Sequence, residues 1–555
     1  MAPPDATATV ADVIGATIAA QGVRDAFGVI GSGNLVVTNA LADGGASFHA
    51  ARHEGGAICM ADGYARVSGR VGVSSVHQGP GLTNAITGLT EAAKSRTPVL
   101  VLAGESPAGD RYSNFRIDQD GLVRSVGAIA ERVQRPDTAA ADALLAYERA
   151  LTERRPVVLM LPIDIQAQPA PVRETRPAPA PFAPPQPTAE AVAELADLLQ
   201  AARRTVIIGG RGAVLASAGD ELEGLAALTG ALLATSAPAH GLFAANPYAL
   251  GISGGFASDA AAELLGQADL ILAVGASLNH WTTRHGALIA DDAQVVQIDV
   301  EPGAIGRHRA LDAAMLGDAL VATRLLIEEL NARGHRHTGF RTPDVANRIA
   351  SHRWQDSRFQ DAGTATDIDP RTFSRELERR LGPDKAVAVD SGAFMGYPSM
   401  YLTVPDARAW VFANGFQSIG LGLGTAIGAA VARPDRPTVA AIGDGGAFMA
   451  LAELETAVRL HLRLLVAIYD DRAYGAEVHH FEPMGHDVSR VRFPDADLAA
   501  IARAAGAEAV TVRAVQDLKV VSEWLTEAEP GPLVLDAKVN PTIRAEWLAE
   551  AFRAG

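Results

Sequence analysis

Short apolar runs alternate with amphipathic stretches along the whole chain. AFGVI (26–30), VGVSSV (71–76) and PVLVLA (98–103) lie near the start, and TVIIGG (205–210), DLILAVGA (269–276) and QVVQIDV (294–300) in the middle. AVAVD (386–390), TVAAIG (438–443) and LLVAIY (464–469) follow toward the end. Each has the length and the aliphatic, partly β-branched character of a buried strand, and the segments between them carry helical patterns. Strands that are apolar throughout and alternate with helices predict parallel sheets covered on both faces. The expected fold class is α/β, with three doubly wound parallel-sheet domains. Eight prolines crowd between Pro169 and Pro187. A stretch of that composition is extended and has no core of its own, so 169–188 is read as a linker between a first domain (1–168) and a middle domain (189–334). A more polar stretch, 335–365, part of it helical, is read as a second linker before a last domain at 366–555.

The last domain carries the most informative chemistry. Strand TVAAI (438–442) runs into a turn with Gly443, Gly445 and Gly446. Phe448, Leu451, Leu454 and Val458 then recur at helical spacing, predicting a helix to Leu460, and LLVAIY is a second buried strand. In a right-handed β-loop-α-β unit the strands are parallel, so Asp444 and Asp471 both sit just past strand carboxyl ends, where open α/β sheets bind ligands. Carboxylates suit a small hard cation such as magnesium, and free N–H groups at Gly446 and Ala447 suit the oxygens of a diphosphate. An isolated Gly-Asp-Gly would be an ordinary turn. The second acidic site changes that reading.

With 24 residues (446–469) between Gly445 and Asp470, the segment resembles the thiamine diphosphate signature of GDG, a spacer and Asn-Asn, here with Asp470-Asp471 in place of the two asparagines. The first domain supplies the matching half in RHEGGAICMADGYARVSG (52–69). Together they resemble the acetohydroxyacid synthase, pyruvate oxidase and benzoylformate decarboxylase branch of the thiamine diphosphate enzymes, over nearly the whole chain. The resemblance implies pyrimidine-binding, middle and diphosphate-binding domains in that order. It further implies that Glu54 bonds the cofactor's aminopyrimidine ring and promotes loss of the C2 proton, and that Ile419 supports the bent cofactor. Gly443, Asp444, Gly445, Gly446 and Ala447 would cradle the diphosphate. Asp444, Asp471 and the carbonyl of Ala473 would hold magnesium, with Arg472 a candidate to balance the added carboxylate.

Substrate-facing candidates follow from the same resemblance. His77 in VHQGPGLTN and Ser32 in FGVIGSGN align with active-site residues of benzoylformate decarboxylase. Glu477 in YGAEVHHF falls where pyruvate decarboxylase has an acidic group, with His479 and His480 beside it, and Gln119 matches a glutamine of the synthases. An imidazole at a strand end can move protons near neutral pH, although a lone histidine is more often structural. Ser277 stands where the FAD-binding synthases carry arginine, which argues against FAD without settling it. The implied activity is non-oxidative 2-oxo acid decarboxylation, carboligation, or both. Cleavage or formation of 2-hydroxy ketones or acyl-CoA compounds, and a weakly active regulatory or scaffold homologue, are the alternatives. The resemblance also implies a homodimer as the smallest active unit, with a homotetramer as the expected assembly.

Composition narrows the partners. Forty-eight basic against 64 acidic residues give a net charge of −16, which disfavours nucleic acid and anionic membranes and leaves a small carbonyl substrate as the expected partner. A single cysteine, Cys59, allows no internal disulfide. The start MAPPDATATV lacks the features of a secretory signal, and no apolar run has membrane-spanning length, so a cytoplasmic protein is expected.

Overall fold

The computed structural model describes residues 8–171, 183–336 and 339–552. It contains three six-stranded sheets, parallel throughout and flanked by helices. All nine strands expected from the apolar runs are present. The first sheet has the spatial order Ser47–Ala50, Asp25–Gly28, Gly72–Val76, Val99–Glu105, Val157–Pro162, Ile129–Arg132. The last repeats this winding, with Trp410–Phe412, Ala386–Val389, Thr438–Gly443, Leu464–Asp470, Leu533–Lys538 and Glu508–Val512. The middle sheet is wound differently, as Ala313–Leu316, Gln294–Asp299, Leu270–Val274, Thr205–Gly209, Leu232–Thr235, Ala249–Ile252. In each, the direction of winding reverses beside a central strand, and in such sheets the loops leaving the carboxyl ends there diverge to form a crevice.

Two helices lock the first domain onto the last. Helix Glu54–Ser68 crosses helix Gly422–Ala432 so closely that a Cβ on Gly63 would strike the Thr425 carbonyl and one on Gly428 the Met60 carbonyl. Ile58, Met60 and Ala61 thereby join Leu423, Ala426 and Ile427 in one continuous core. Glycine is required at both positions because backbone meets backbone.

One expectation needs correction. The helix predicted from Phe448 to Leu460 is two shorter ones, Asp444–Ala450 and Glu453–Arg459, the first beginning four residues earlier because the glycines enter the helix instead of forming a separate turn. The stretch 335–365 packs against the middle domain. Helix Pro343–Ser351 lies within it, Phe340 and Ile349 are buried in the middle-domain core, and Trp354 Nε1 donates to the Phe256 carbonyl at 2.9 Å. Of the proline-rich linker, 172–182 lie outside the described residues; Pro185 accepts the Asp318 N–H at 2.9 Å. Among the described residues no helix is long and apolar enough to cross a membrane.

Candidate active site

In the last domain three acidic strand ends lie side by side. Strands Ala386–Val389, Thr438–Gly443 and Leu464–Asp470 are consecutive neighbours in the sheet and deliver Asp390, Asp444 and Asp470-Asp471 to one edge. Asp444 opens its helix and is buried; burial, then Asp471 and Asp470, push its carboxyl well above the usual carboxylate range. Asp471 is also raised, by burial and by Asp470, against the opposing Ala473 N–H and Arg472. Buried carboxylates at one low-dielectric edge, with Asp471 and Asp470 raising Asp444, make a site that a divalent cation would stabilise. Among the described residues no group of three or more His, Cys, Asp or Glu side chains is arranged to hold a metal. A cation at Asp444 and Asp471 would therefore complete its shell with backbone and ligand oxygens, the Ala473 carbonyl included.

Side chains close in on the glycine turn. A Cβ on Gly446 would lie 2.5 Å from Asp390 Oδ2, and one on Gly445 would lie 2.7 Å from the Tyr474 ring and 3.9 Å from Ile419 Cδ1. Ile419 is thus brought near the glycine turn. Gly443 has extended backbone before the helix, and Ala447 is buried one turn along. Beside Asp444 opens a cavity of about 500 Å³ walled by Phe448, Met449, Tyr474 and Phe493, mostly apolar with an acidic end.

Asp470 has its own counter-charge besides Arg472, whose charge opposes the rise at Asp471. Arg472 turns to Asp367 at 2.8 Å, and its backbone, at φ 57, donates an N–H to Asp470 Oδ1 at 3.0 Å. The partner of Asp470 is Lys538, buried at the end of the adjacent strand, whose Nζ lies 2.5 Å from Asp470, 2.7 Å from Asp495 and 3.1 Å from Asp536. Three carboxylates hold the Lys538 ammonium above its ordinary range despite burial. Asp471 is left to turn Oδ1 onto the Ala473 N–H at 3.1 Å.

The first domain assembles a second cluster at its own switch point. Glu54 begins its helix, buried, with Oε2 accepting from Asn84 Nδ2 at 3.0 Å. His77 follows strand Gly72–Val76; its Nδ1 accepts the Gly33 N–H at 3.1 Å, so the neutral ring carries its proton at Nε2. Burial lowers the His77 pKa while the Glu54 carboxylate opposes the shift. Ser32 is exposed in the same loop as Gly33. Gln119 is buried and both ends of its amide are used on backbone, Oε1 accepting from Gly79 N–H at 3.0 Å and Nε2 donating to the Gly104 carbonyl at 3.2 Å. That geometry makes it a brace for the Gly79 turn.

The remaining candidates lie on helix Gly475–Phe481. Glu477 is exposed. His479 bonds the Pro541 carbonyl at 3.1 Å and His480 stacks on Phe552 at 4.0 Å, so both rings serve the docking of the C-terminal segment. In the middle domain Ser277 is exposed after strand Leu270–Val274, and Arg211 reaches the first domain, donating to the Ser95 carbonyl at 2.8 Å.

Sequence patterns did not single out Asp390, Glu453 or Lys538. Asp390 was visible as an acid ending a predicted strand; it accepts from Gly420 and Leu421 N–H at 2.9 and 3.2 Å, and burial pushes its carboxyl up to about 6. Buried Glu453 accepts the N–H groups of Arg52 and His53 at 3.2 and 2.9 Å and so fixes the start of the Glu54 helix from another domain. Nothing local in the sequence announces such a contact.

Acidic strand ends beside a glycine turn, and a buried glutamate opening a helix of the first domain, are thus in place, and family comparison names the cofactor class. The chain matches the N-terminal TPP binding domain of the thiamine pyrophosphate enzymes at 8–124, their central domain at 192–326 and their C-terminal TPP binding domain at 390–537. It belongs to that family, in the superfamily of acetohydroxyacid synthase, pyruvate oxidase and benzoylformate decarboxylase. Among its relatives, a sulfoacetaldehyde acetyltransferase of Castellaniella defragrans is 29% identical over 90% of this chain and 88% of its own. The catabolic acetolactate synthase of Raoultella terrigena is 29% identical over 97% and 96%. The large subunit of acetolactate synthase isozyme 3 of Escherichia coli is 29% identical over 84% and 82%. The chain is accordingly a thiamine diphosphate-dependent lyase or transferase acting on carbon–carbon bonds.

Proposed function

We propose that the protein is a magnesium-dependent, non-oxidative decarboxylase or carboligase of 2-oxo acids. Thiamine diphosphate, when bound, supplies the nucleophilic carbon and the electron sink. Asp444, Asp471 and the Ala473 carbonyl would hold the cation, the Gly445–Ala447 backbone the diphosphate, and Ile419 the bend. Glu54 would hold the proton at the pyrimidine end, its Oε2 already fixed by Asn84. His77 is the observation that carries the decarboxylase reading. Its Nδ1 is occupied by Gly33, its neutral form is favoured near pH 7, and its Nε2–H is available to donate a hydrogen bond to a substrate carboxylate. Ser32 and Glu477 are exposed enough to reach a substrate, whereas Gln119 positions the loop after His77.

A homodimer as the smallest active unit, assembling to a tetramer, is supported by the last-domain cavity, whose lining comes from the last domain alone. The activating glutamate would then come from a second copy. Ile30, Leu35, Val36, Phe115 and Ile117 on the first domain, and Phe416, Phe448 and Met449 on the last, are exposed large apolar side chains that such an interface would cover.

A second reading, an acetyltransferase acting on sulfoacetaldehyde, is favoured by the similarity to the sulfoacetaldehyde acetyltransferase of Castellaniella defragrans over 90% of the chain. One assay separates them. CO2 release from a panel of 2-oxo acids, with and without an acceptor aldehyde, should be positive and should fall about 10²-fold or more in His77→Ala, the usual worth of a positioned acid–base group. Sulfoacetaldehyde should be inert as a substrate. The reverse pattern assigns the transferase, and full CO2 release by His77→Ala removes the histidine from the chemistry.

A further inference from the structure

The segment Asn414–Gly420 carries Ile419 and joins strand Trp410–Phe412 to helix Gly422–Ala432. It has no regular structure of its own. Residues 415–417 are exposed, Gln417 sits at φ 60 and Gly420 at φ 88, so local preference does not define its path. What defines it is a pair of buried carboxylates at its two ends. At the far end Asp390 accepts the N–H groups of Gly420 and Leu421. At the near end Glu91 Oε1 accepts the Gly415 N–H at 3.1 Å and Oε2 the Phe416 N–H at 2.6 Å.

Glu91 belongs to the first domain, on helix Pro80–Lys94, and is 1% exposed. Its charge is held by Arg66 Nη2 at 2.8 Å and by Ser95 Oγ at 2.9 Å, and Arg66 also donates from Nη1 to the Phe412 carbonyl at 3.1 Å. Arg66 and Glu91 therefore grip the end of the strand and the start of the loop at once. The same helix bears Asn84, the partner of Glu54, seven residues and so about two turns earlier on the same face. Burial alone would raise the Glu91 carboxyl, yet Arg66 and the Phe416 N–H bring it below the ordinary range, so it is ionised at neutral pH.

We infer that Glu91 is a positioning residue for the cofactor site: from the first domain it sets the path of the loop that places Ile419 against the Gly445 turn. The inference rests on the thiamine diphosphate reading for its consequence, but not for its geometry. It predicts that a residue with no contact to the cofactor governs cofactor affinity.

Glu91→Gln tests it without removing the side chain. Oε1 faces three donors and Oε2 one, so the amide nitrogen of glutamine will take the Oε2 place and leave Phe416 N–H without an acceptor. In the cofactor-free protein, amide exchange at Phe416 should accelerate at least about tenfold, that at Gly415 less, and that at Gly420 and Leu421 little. The Kd for thiamine diphosphate with magnesium should rise about tenfold or more, and turnover at saturating cofactor should recover most of the parent rate. Leu89→Ala, a core truncation on the same helix, is the control. It should lower stability while leaving both the Phe416 exchange and the Kd unchanged. Unchanged exchange in Glu91→Gln, or the same exchange and affinity losses in Leu89→Ala, overturns the inference. A parent protein that binds no thiamine diphosphate would instead refute the cofactor reading, with the exchange result still deciding whether Glu91 holds the loop.

Discussion

Lys538→Met should cost far more than the loss of an ordinary surface charge. Lys538 is 1% exposed and Asp470 2%, and the ammonium is shared with Asp536, also buried, and with the partly exposed Asp495. Removing one partner of a buried pair leaves an uncompensated charge and costs about 3–5 kcal/mol, whereas removing both partners is often nearly neutral. Asp470→Asn alone should cost less, since Lys538 keeps two other carboxylates. The double variant should recover part of the loss, with a coupling of about 1–3 kcal/mol. Amide exchange at Val539 reads the effect locally, because its N–H donates to the Asp470 carbonyl at 3.0 Å and the opening free energy there does not require the whole chain to unfold in one step. Additive costs, with coupling below about 0.5 kcal/mol, would show that Lys538 does not balance the carboxylate found where the family has asparagine.

Glu54→Gln should leave cofactor binding within a few-fold of the parent but remove most exchange of the C2 proton, measured by deuterium incorporation. Mixing it with Asp444→Ala chains should restore some activity in heterodimers, and a fully active monomer would contradict the shared site. His240 should contribute to acid sensitivity. Burial lowers its pKa to about 4, against a bond to the Leu402 carbonyl at 3.0 Å, so its ring stays neutral in the folded state where the unfolded chain would take up a proton. Its contribution to stability is present above about pH 6.5 and is lost as pH falls toward 4, by about 3 kcal/mol as an order of magnitude. His240→Gln should flatten the fall in melting temperature across that window, and an unchanged slope would assign the acid sensitivity elsewhere.

The strands that apolar pattern revealed are mainly the central ones, Val99–Glu105 or Leu464–Asp470, buried on both faces and therefore apolar throughout. Edge strands such as Ser47–Ala50 and Glu508–Val512 escaped because they are short and only partly buried, and their residues are too mixed to mark a period. Asp444, Asp471 and Glu54 were legible because their spacing and helix-start position are local properties. Lys538, Glu453 and Glu91 were not. Each acts on a segment at least 68 residues away, across a sheet or between domains, and only the fold brings the partners together. Arg472 shows the converse: adjacency in sequence suggested a charge partner for Asp471, and its charge opposes the rise there, but a positive φ turns its side chain to Asp367.

The account stands on Asp444 and Asp471 holding a metal-bound diphosphate. Calorimetric titration of thiamine diphosphate into the purified protein, with magnesium and then with a chelator, tests that directly. One equivalent should bind per chain with magnesium, and Asp444→Ala or removal of the metal should weaken binding by about 10²-fold or more, equivalent to roughly 2.7 kcal/mol or more. Tight binding that ignores both the chelator and Asp444→Ala would contradict it.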